Sequence, residues 1–155
     1  MNARVTAICL SRARGEKKTA VPRAELRANH GIVGDAHAGD WHRQVSLLAA
    51  ESIARMRAVL PTLADGDFAE NIVTEGIDLR ELRVGDRLRL GDGILLEVTQ
   101  IGKECHHGCA IRRQVGDCIM PREGLFCRVL RGGALVPGDP VTALAPAAAA
   151  QSEVA

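Results

Sequence analysis

Between Gln100 and Cys118 the sequence reads QIGKECHHGCAIRRQVGDC. Two thiols (Cys105, Cys109), two imidazoles (His106, His107) and the cations Lys103, Arg112 and Arg113 share this glycine-bounded stretch. A thiol acts as nucleophile or metal ligand only as the thiolate, and neighbouring cations lower its pKa. Three chemistries fit. The first is a reactive thiolate that carries sulfur, attacks an electrophile or ligates a soft metal. The second is a zinc site of Cys105, Cys109 and one adjacent histidine. Cys-x-x-x-Cys is a tolerated ligand spacing, but no second ligand pair at finger-like spacing accompanies it. The third is a pair of buried thiols beside solvated histidines. Residue types alone favour the first. Cys9 and Cys127 lie in apolar, strand-like contexts and read as core cysteines. Cys118 is open to either reading.

A second cluster lies in GIVGDAHAGDWHRQVSLL, where Asp35, His37, Asp40, His42 and Arg43 fall close together. Asp35 and His37 suit metal ligation or acid–base work. The plainer alternatives are an Asx turn for Asp35 and a solvated ring for His37. Arg43, beside Gln44, suits a grip on phosphate or carboxylate; the plainer alternative is a surface ion pair. Clustering in one glycine-rich loop strengthens the functional reading. A third candidate is the pair Glu70 and Asn71 at the entry to a strand. A polar pair there suits a ligand-binding barrel rim, or turn hydrogen bonding.

These residues need elements to hold them. RVTAICLS (4–11) alternates and carries β-branched residues, which predicts a strand. Gly31, Gly34 and Gly39 with Asp35 and Asp40 predict a long exposed loop, a common carrier of function. Ser46 can cap a helix beginning near Leu47, with Leu48, Ile53, Met56, Val59 and Leu60 at helical spacing and Pro61 ending it. ENIVTEG predicts a short strand. RVGDRLRLGDGILLEVTQIG predicts a hairpin turning at Gly91-Asp92-Gly93, with Leu88, Leu90, Leu96 and Val98 alternating inward. GLFCRVLRGGALVPGDPVTAL predicts two more strands around Gly132-Gly133. The repeated Gly-Asp pairs at 85–86, 116–117 and 138–139 read as turn chemistry. Many short strands with one helix, near residues 47–60, predict a mainly β, barrel-like domain over 1–144. The Ala-rich tail 145–155 reads as disordered.

Composition narrows the function classes. A chain of 155 residues needs no disulfide or metal merely to stay folded. Net charge is +1 and aromatic content 2%, which argues against nucleic-acid binding by a basic field or by base stacking. Arginine outnumbers lysine 17 to 3; arginine is the better fork for anions, although an arginine-rich coding bias explains the count as well. Five cysteines are an odd number for a secreted disulfide framework. No signal-peptide pattern and no apolar run of about 20 residues is present. A cytoplasmic protein with reduced thiols and no membrane attachment is expected.

In order along the chain, GIVGDAHAG with RQVSLL, GDFAENIVTEGIDL, LRVGDRLRLGDGILLEVTQIGKECHHGC and CIMPREGLFCRVLRGGALVPGD resemble a MOSC domain. That domain occurs at the C-terminus of molybdenum cofactor sulfurases, in amidoxime-reducing enzymes and as small stand-alone bacterial proteins. The resemblance covers roughly residues 4–144 and is nearest the stand-alone group. It implies a β-barrel related to that of pyruvate kinase. It also implies binding of the molybdenum cofactor (molybdopterin), or sulfur delivery through a cysteine persulfide. Carried over, the molybdenum-ligating cysteine is Cys109 or Cys105, with Cys109 favoured as the deeper in its motif. Asp35 and His37 match the family's Gly-Asp-(His/Arg) element, and Asn71 matches a pocket-lining position. Arg43, Lys103, Arg112 and Arg113 are candidate grips for the cofactor. Sulfurases carry a pyridoxal-phosphate desulfurase domain that this sequence lacks, so no pyridoxal phosphate is expected on this chain alone. A separate cysteine desulfurase or a molybdoenzyme is the expected partner. Reduction of N-hydroxylated compounds at a bound molybdopterin, and a zinc-stabilised interaction domain, are the alternative functions.

Overall fold

The computed structural model describes residues 3–102 and 123–144. Eleven strands and one α-helix follow one another here. β1 (Arg4–Leu10) pairs antiparallel with β2 (Thr19–Ala20) and with β6 (Ile72–Glu75). β3 (Ala24–Arg27), β4 (Gly31–Ile32) and β10 (Gly133–Leu135) form a small three-stranded sheet. The main sheet has eight strands in the order β11-β7-β8-β9-β5-β6-β1-β2, with β5 at Val45–Ala49, β7 at Arg87–Leu90, β8 at Ile94–Ile101, β9 at Leu125–Arg131 and β11 at Val141–Leu144. Mainly β with one helix is the class the alternation predicts. No helix among the described residues is long and apolar enough to cross a membrane.

The hairpin of β7 and β8 follows its sequence signals closely. Leu90 pairs with Ile94 across the Gly91-Asp92-Gly93 turn. Leu88, Leu90, Leu96 and Val98 all point into the core and are buried. Two of the three Gly-Asp turns act as read, the pair at 116–117 lying outside the described residues: Gly85 and Gly138 take positive φ, and the Asp86 and Asp139 carboxylates accept the backbone N–H groups of Arg83 and Val136. Two strands around Gly132-Gly133 become three, because Pro137–Pro140 turns the chain once more before β11.

Three expectations need correction. Ser46 does not cap a helix: it lies inside β5, and α1 spans Ala50–Arg57 behind an Ala49 cap without a side-chain bond. β5 is buried at every position, between β9 (antiparallel) and β6 (parallel). A strand covered on both faces reads as a continuous apolar run, which periodicity cannot separate from the start of a helix. The glycine-rich loop is shorter and less exposed than predicted, since β4 and β5 occupy its ends and Asp35 and Gln44 are buried. The sheet is not closed into a barrel either. Bonds from Val5 N to Asp139 O (2.9 Å) and from Val141 N to Ala3 O (3.0 Å) flank an isolated Arg4–Pro140 bridge. Both bonds belong to that single bridge, and beyond it the chain turns, with Gly138 N donating to Val5 O at 2.7 Å, so no longer ladder forms.

Two cores flank the sheet. Val45, Leu47 and Ala49 face the larger one with the hairpin leucines. Leu48 faces a second, where Ile53 and Met56 of α1 cover Ala7, Cys9, Val73 and Phe126. Fully burying a side chain such as Ile53 stabilises by ~1.5–3 kcal/mol, so α1 is held by packing more than by its ends.

Candidate functional site

The segment after β1 and the loop after β4 meet at a buried ion pair. Lys18 and Asp35 have no exposed side-chain surface, and Lys18 Nζ lies 2.7 Å from Asp35 Oδ1. The ammonium also donates to Ser11 Oγ at 3.1 Å and approaches His37 Nδ1 at 3.0 Å. The carboxylate accepts the backbone N–H of Ser11 through Oδ1 and that of His37 through Oδ2, each at 3.1 Å. Two buried charges are tolerated only with such full satisfaction, since each costs several kcal/mol to desolvate. Asp35 therefore makes the Asx turn considered for it, and anchors a lysine as well. Gly66 fixes the other side of that lysine. Its carbonyl accepts Lys18 N at 2.9 Å. Its φ is +93°, and a Cβ there would lie 2.1 Å from Lys18 O.

His37 forms one wall of a pocket of about 310 Å³. Trp41 stacks on it, with planes 5° apart and centroids 6.4 Å apart, and the indole Nε1 donates to His37 O at 2.7 Å. Arg14, from the β1–β2 loop, places its guanidinium 4.6 Å from the Trp41 ring. Arg43 faces the same pocket, lies 5.1 Å over the Phe126 ring and donates through Nε to Gln100 Oε1 at 3.0 Å. Ser46, Ala69 and Asn71 complete the described lining. Two guanidiniums braced on aromatic rings, with no carboxylate among the described lining residues, form a site suited to an anion.

Asn71 lines this pocket and also ties three strands together. Its Oδ1 accepts Ser46 N at 2.9 Å, its Nδ2 donates to Cys9 O at 3.0 Å, and its N donates to Ser46 Oγ at 2.9 Å. Ala69, just before it, holds a positive φ of 62°. Glu70 points away into the interior, where its carboxylate accepts the N–H groups of Gly66 (2.8 Å) and Phe68 (3.0 Å). Burial, opposed by those hydrogen bonds, pushes its pKa up to about 7. Turn hydrogen bonding is thus what this pair does for the fold.

The sequence candidates His37, Arg43 and Asn71 come together, with Asp35 directly behind His37. Asp40 and His42 are exposed, and neither lines the pocket. Cys105, Cys109, Cys118, Lys103, Arg112, Arg113, His106 and His107 lie outside the described residues, as does the tail 145–155. The described ends of that inner segment lie together: Gly102 N donates to Gly124 O at 2.7 Å, and Gln100 Nε2 donates to Gly102 O at 2.8 Å. Gln100 also binds Arg43, so the chain leaves β8 beside the pocket. Cys9 and Cys127 are buried thiols as expected. Burial pushes Cys9 up to about 12 and Cys127 higher still. Among the described residues, no cluster of three His, Cys, Asp or Glu side chains is placed to hold a metal.

Sequence reading missed Arg14, Trp41, Phe126 and Lys18 as site residues. Only the positive charge in the polar loop offered a signal for Arg14 and Lys18. The ring contacts and the Lys18–Asp35 pair depend on tertiary structure.

A family model for the MOSC domain matches residues 34–142. A protein of Gibberella moniliformis called "Reductase" is 30% identical over 133 residues, which span 74% of this chain and 22% of that protein. The crystal structure of the YuaD protein from Bacillus subtilis superposes with a TM-score of 0.76 at 19% identity, covering 94% of this chain and 97% of that one. YiiM from Geobacillus stearothermophilus gives a TM-score of 0.68 at 18% identity, covering 92% of this chain and 75% of that one. At these identities the two structures show a shared fold. The match to the family model extends over most of the chain, from the Asp35 turn through β11, and on it this protein belongs to the MOSC domain family.

Proposed function

We propose that this protein binds the molybdenum cofactor in the pocket between the 33–44 loop, β5 and β9, with Cys109 as the thiolate at the metal. The observation that carries the reading is the pair Arg14 and Arg43, each braced on an aromatic ring in a pocket with no acid among its described lining residues. Such a pocket fits the phosphate of a molybdopterin. When bound, the cofactor supplies a metal centre that exchanges oxygen or sulfur ligands and electrons. The chain's own residues do the rest. Arg14 and Arg43 hold the anionic group, while Trp41 and Phe126 keep water from it. Ser46 and Asn71 shape the floor. Lys103, Arg112 and Arg113, near Cys109 in sequence, favour its thiolate and add positive charge. Asp35 orients His37 through the turn they share.

The test is molybdenum and pterin analysis of protein purified anaerobically from a cofactor-competent host. Both should be present in the native chain. Cys109→Ser should lose the metal, and Arg43→Ala should bind the pterin about tenfold more weakly, the scale of one charged hydrogen bond. Native protein with neither molybdenum nor pterin overturns the proposal. A sulfur adduct lost in Cys109→Ser would then make the protein a persulfide carrier, loaded when the Cys109 thiolate takes sulfur from a desulfurase persulfide and releases its thiolate. Bound zinc whose removal lowers the melting temperature would favour the interaction domain. The name of the fungal relative motivates assaying molybdenum-loaded protein for reduction of N-hydroxylated compounds.

A further inference from the structure

We propose that Lys18 is a positioning residue: its buried ammonium, fixed by Asp35, holds His37 as a neutral imidazole protonated on Nε2, so that His37 serves the pocket as a hydrogen-bond donor and not as a base or metal ligand.

The argument begins with one contact. Lys18 Nζ and His37 Nδ1 are 3.0 Å apart. A nitrogen–nitrogen hydrogen bond holds a single proton and requires a lone pair on one partner. The amine is the stronger base by about four pH units. Asp35 Oδ1, 2.7 Å from Nζ and wholly buried, adds to that preference, because removing the lysine proton would leave the carboxylate uncompensated. The proton therefore stays on Lys18, and Nδ1 accepts. A neutral imidazole with an accepting Nδ1 carries its hydrogen on Nε2. Whatever Nε2 meets, it meets as a donor. Neither ring nitrogen then has a lone pair available for a metal or for a substrate proton.

Among the described residues, the other charges near the ring act in the same direction or lie further off. Asp35 Oδ2 is 3.9 Å from Nδ1 but already accepts His37 N. Arg14 sits on Trp41, the ring stacked against His37, and Arg43 lines the same pocket; both disfavour a further cation. His42 packs edge-on against Trp41. The Lys18–Asp35 pair also has a rigid seat. Lys18 N is bonded to Gly66 O, and Ser11 supplies a hydroxyl to the ammonium and an N–H to the carboxylate. Among the described lining residues, the charge thus stays that of the two guanidiniums across the range where a histidine ordinarily titrates.

The proposal concerns the chain itself and stands or falls independently of whether the molybdenum cofactor binds. Its test is long-range nitrogen–proton NMR of the full-length protein, with His37 assigned among the five histidines through a His37→Gln variant. The expected result is an Nε2-protonated neutral ring that does not titrate between about pH 5 and 8, together with a Lys18 Nζ signal that remains ammonium. An imidazolium near neutral pH, or a proton on Nδ1, overturns it. The double variant Lys18→Met/Asp35→Asn removes both buried charges together. In that variant His37 should titrate near its ordinary value of about 6.5 and populate both tautomers. A folded double variant with an unchanged, non-titrating Nε2–H ring would show that Lys18 is not what holds it. If the double variant fails to fold, the native tautomer and the Lys18 signal decide alone.

Discussion

Burial raises the Glu70 carboxyl to about 7 from an ordinary 4.5, against the pull of the Gly66 and Phe68 N–H groups toward the ionised form. A folded-state pKa above the unfolded value means that the native state holds the proton longer. Below the unfolded value both states are protonated and the contribution is fully present. As pH rises, the unfolded chain ionises first, so stability is lost progressively up to the folded pKa. Glu70→Gln keeps a neutral side chain throughout. The melting temperature of the native protein relative to this variant should therefore fall between about pH 4.5 and 7 and level off above. Calorimetric melts at both ends of that window check it. A constant difference means that Glu70 ionises in the fold as in the unfolded chain, and one that moves in favour of the native protein means that the fold lowers its pKa; either overturns the expectation. The buried thiols follow the same electrostatics in a simpler way. With Cys9 pushed up to about 12, its thiolate is negligible at neutral pH, which leaves thiol chemistry to the cysteines between Gln100 and Cys118.

Gly66 connects residue to element, because the turn before β6 packs against the backbone of Lys18. A side chain at its φ of +93° is strained, and the added Cβ would fall 2.1 Å from Lys18 O. Backbone overlap cannot be relieved by a rotamer change. Gly66→Ala should cost ~1–2 kcal/mol from the left-handed conformation alone, with the overlap adding to that. Urea unfolding measures it, and a change under ~0.5 kcal/mol, the scale of an ordinary surface substitution, would argue against this close approach. The elements differ in how plainly they can be read from sequence. β7 and β8 were legible because one face is buried and the other is not, so Leu88, Leu90, Leu96 and Val98 alternate with polar residues. β5 was not, because VSLLA is covered on both faces and leads directly into α1. The short strands β2, β3 and β4 carry two to four residues each, too few for a period to show. The site was legible where chemistry clusters along the chain, as at Asp35, His37 and Arg43. It was hidden where partners come from afar: Lys18 finds Asp35 across 17 residues, and Arg43 finds Gln100 across 57.

At the scale of the molecule, the strands on either side of the chemistry-bearing segment pair directly with each other. β8 and β9 pair from Leu95–Arg131 to Ile101–Leu125. The Gly102–Gly124 bond continues that register one step further. Among the described residues, Phe126 and Cys127 at the start of β9 each enter one of the two cores. Among the described residues, Glu123 reaches past the strand end: it accepts Ser52 Oγ at 2.7 Å and pairs with Arg55, fastening α1 to the approach to β9. Glu123 must therefore be kept. Replacing residues 103–122 with a short Gly-Ser linker joins two ends that are already hydrogen-bonded near one another, so the loop-closure cost is small and falls with the shorter loop. The expected outcome is a cooperative thermal transition with its midpoint close to that of the native chain, followed by circular dichroism. Molybdenum content should be lost in the same protein, because Cys109 is gone while Arg14 and Arg43 keep their rings. Collapse of the transition would mean that the chemistry-bearing segment is also part of the core. Retention of metal by the linker variant would move the thiolate's role to the pocket residues themselves.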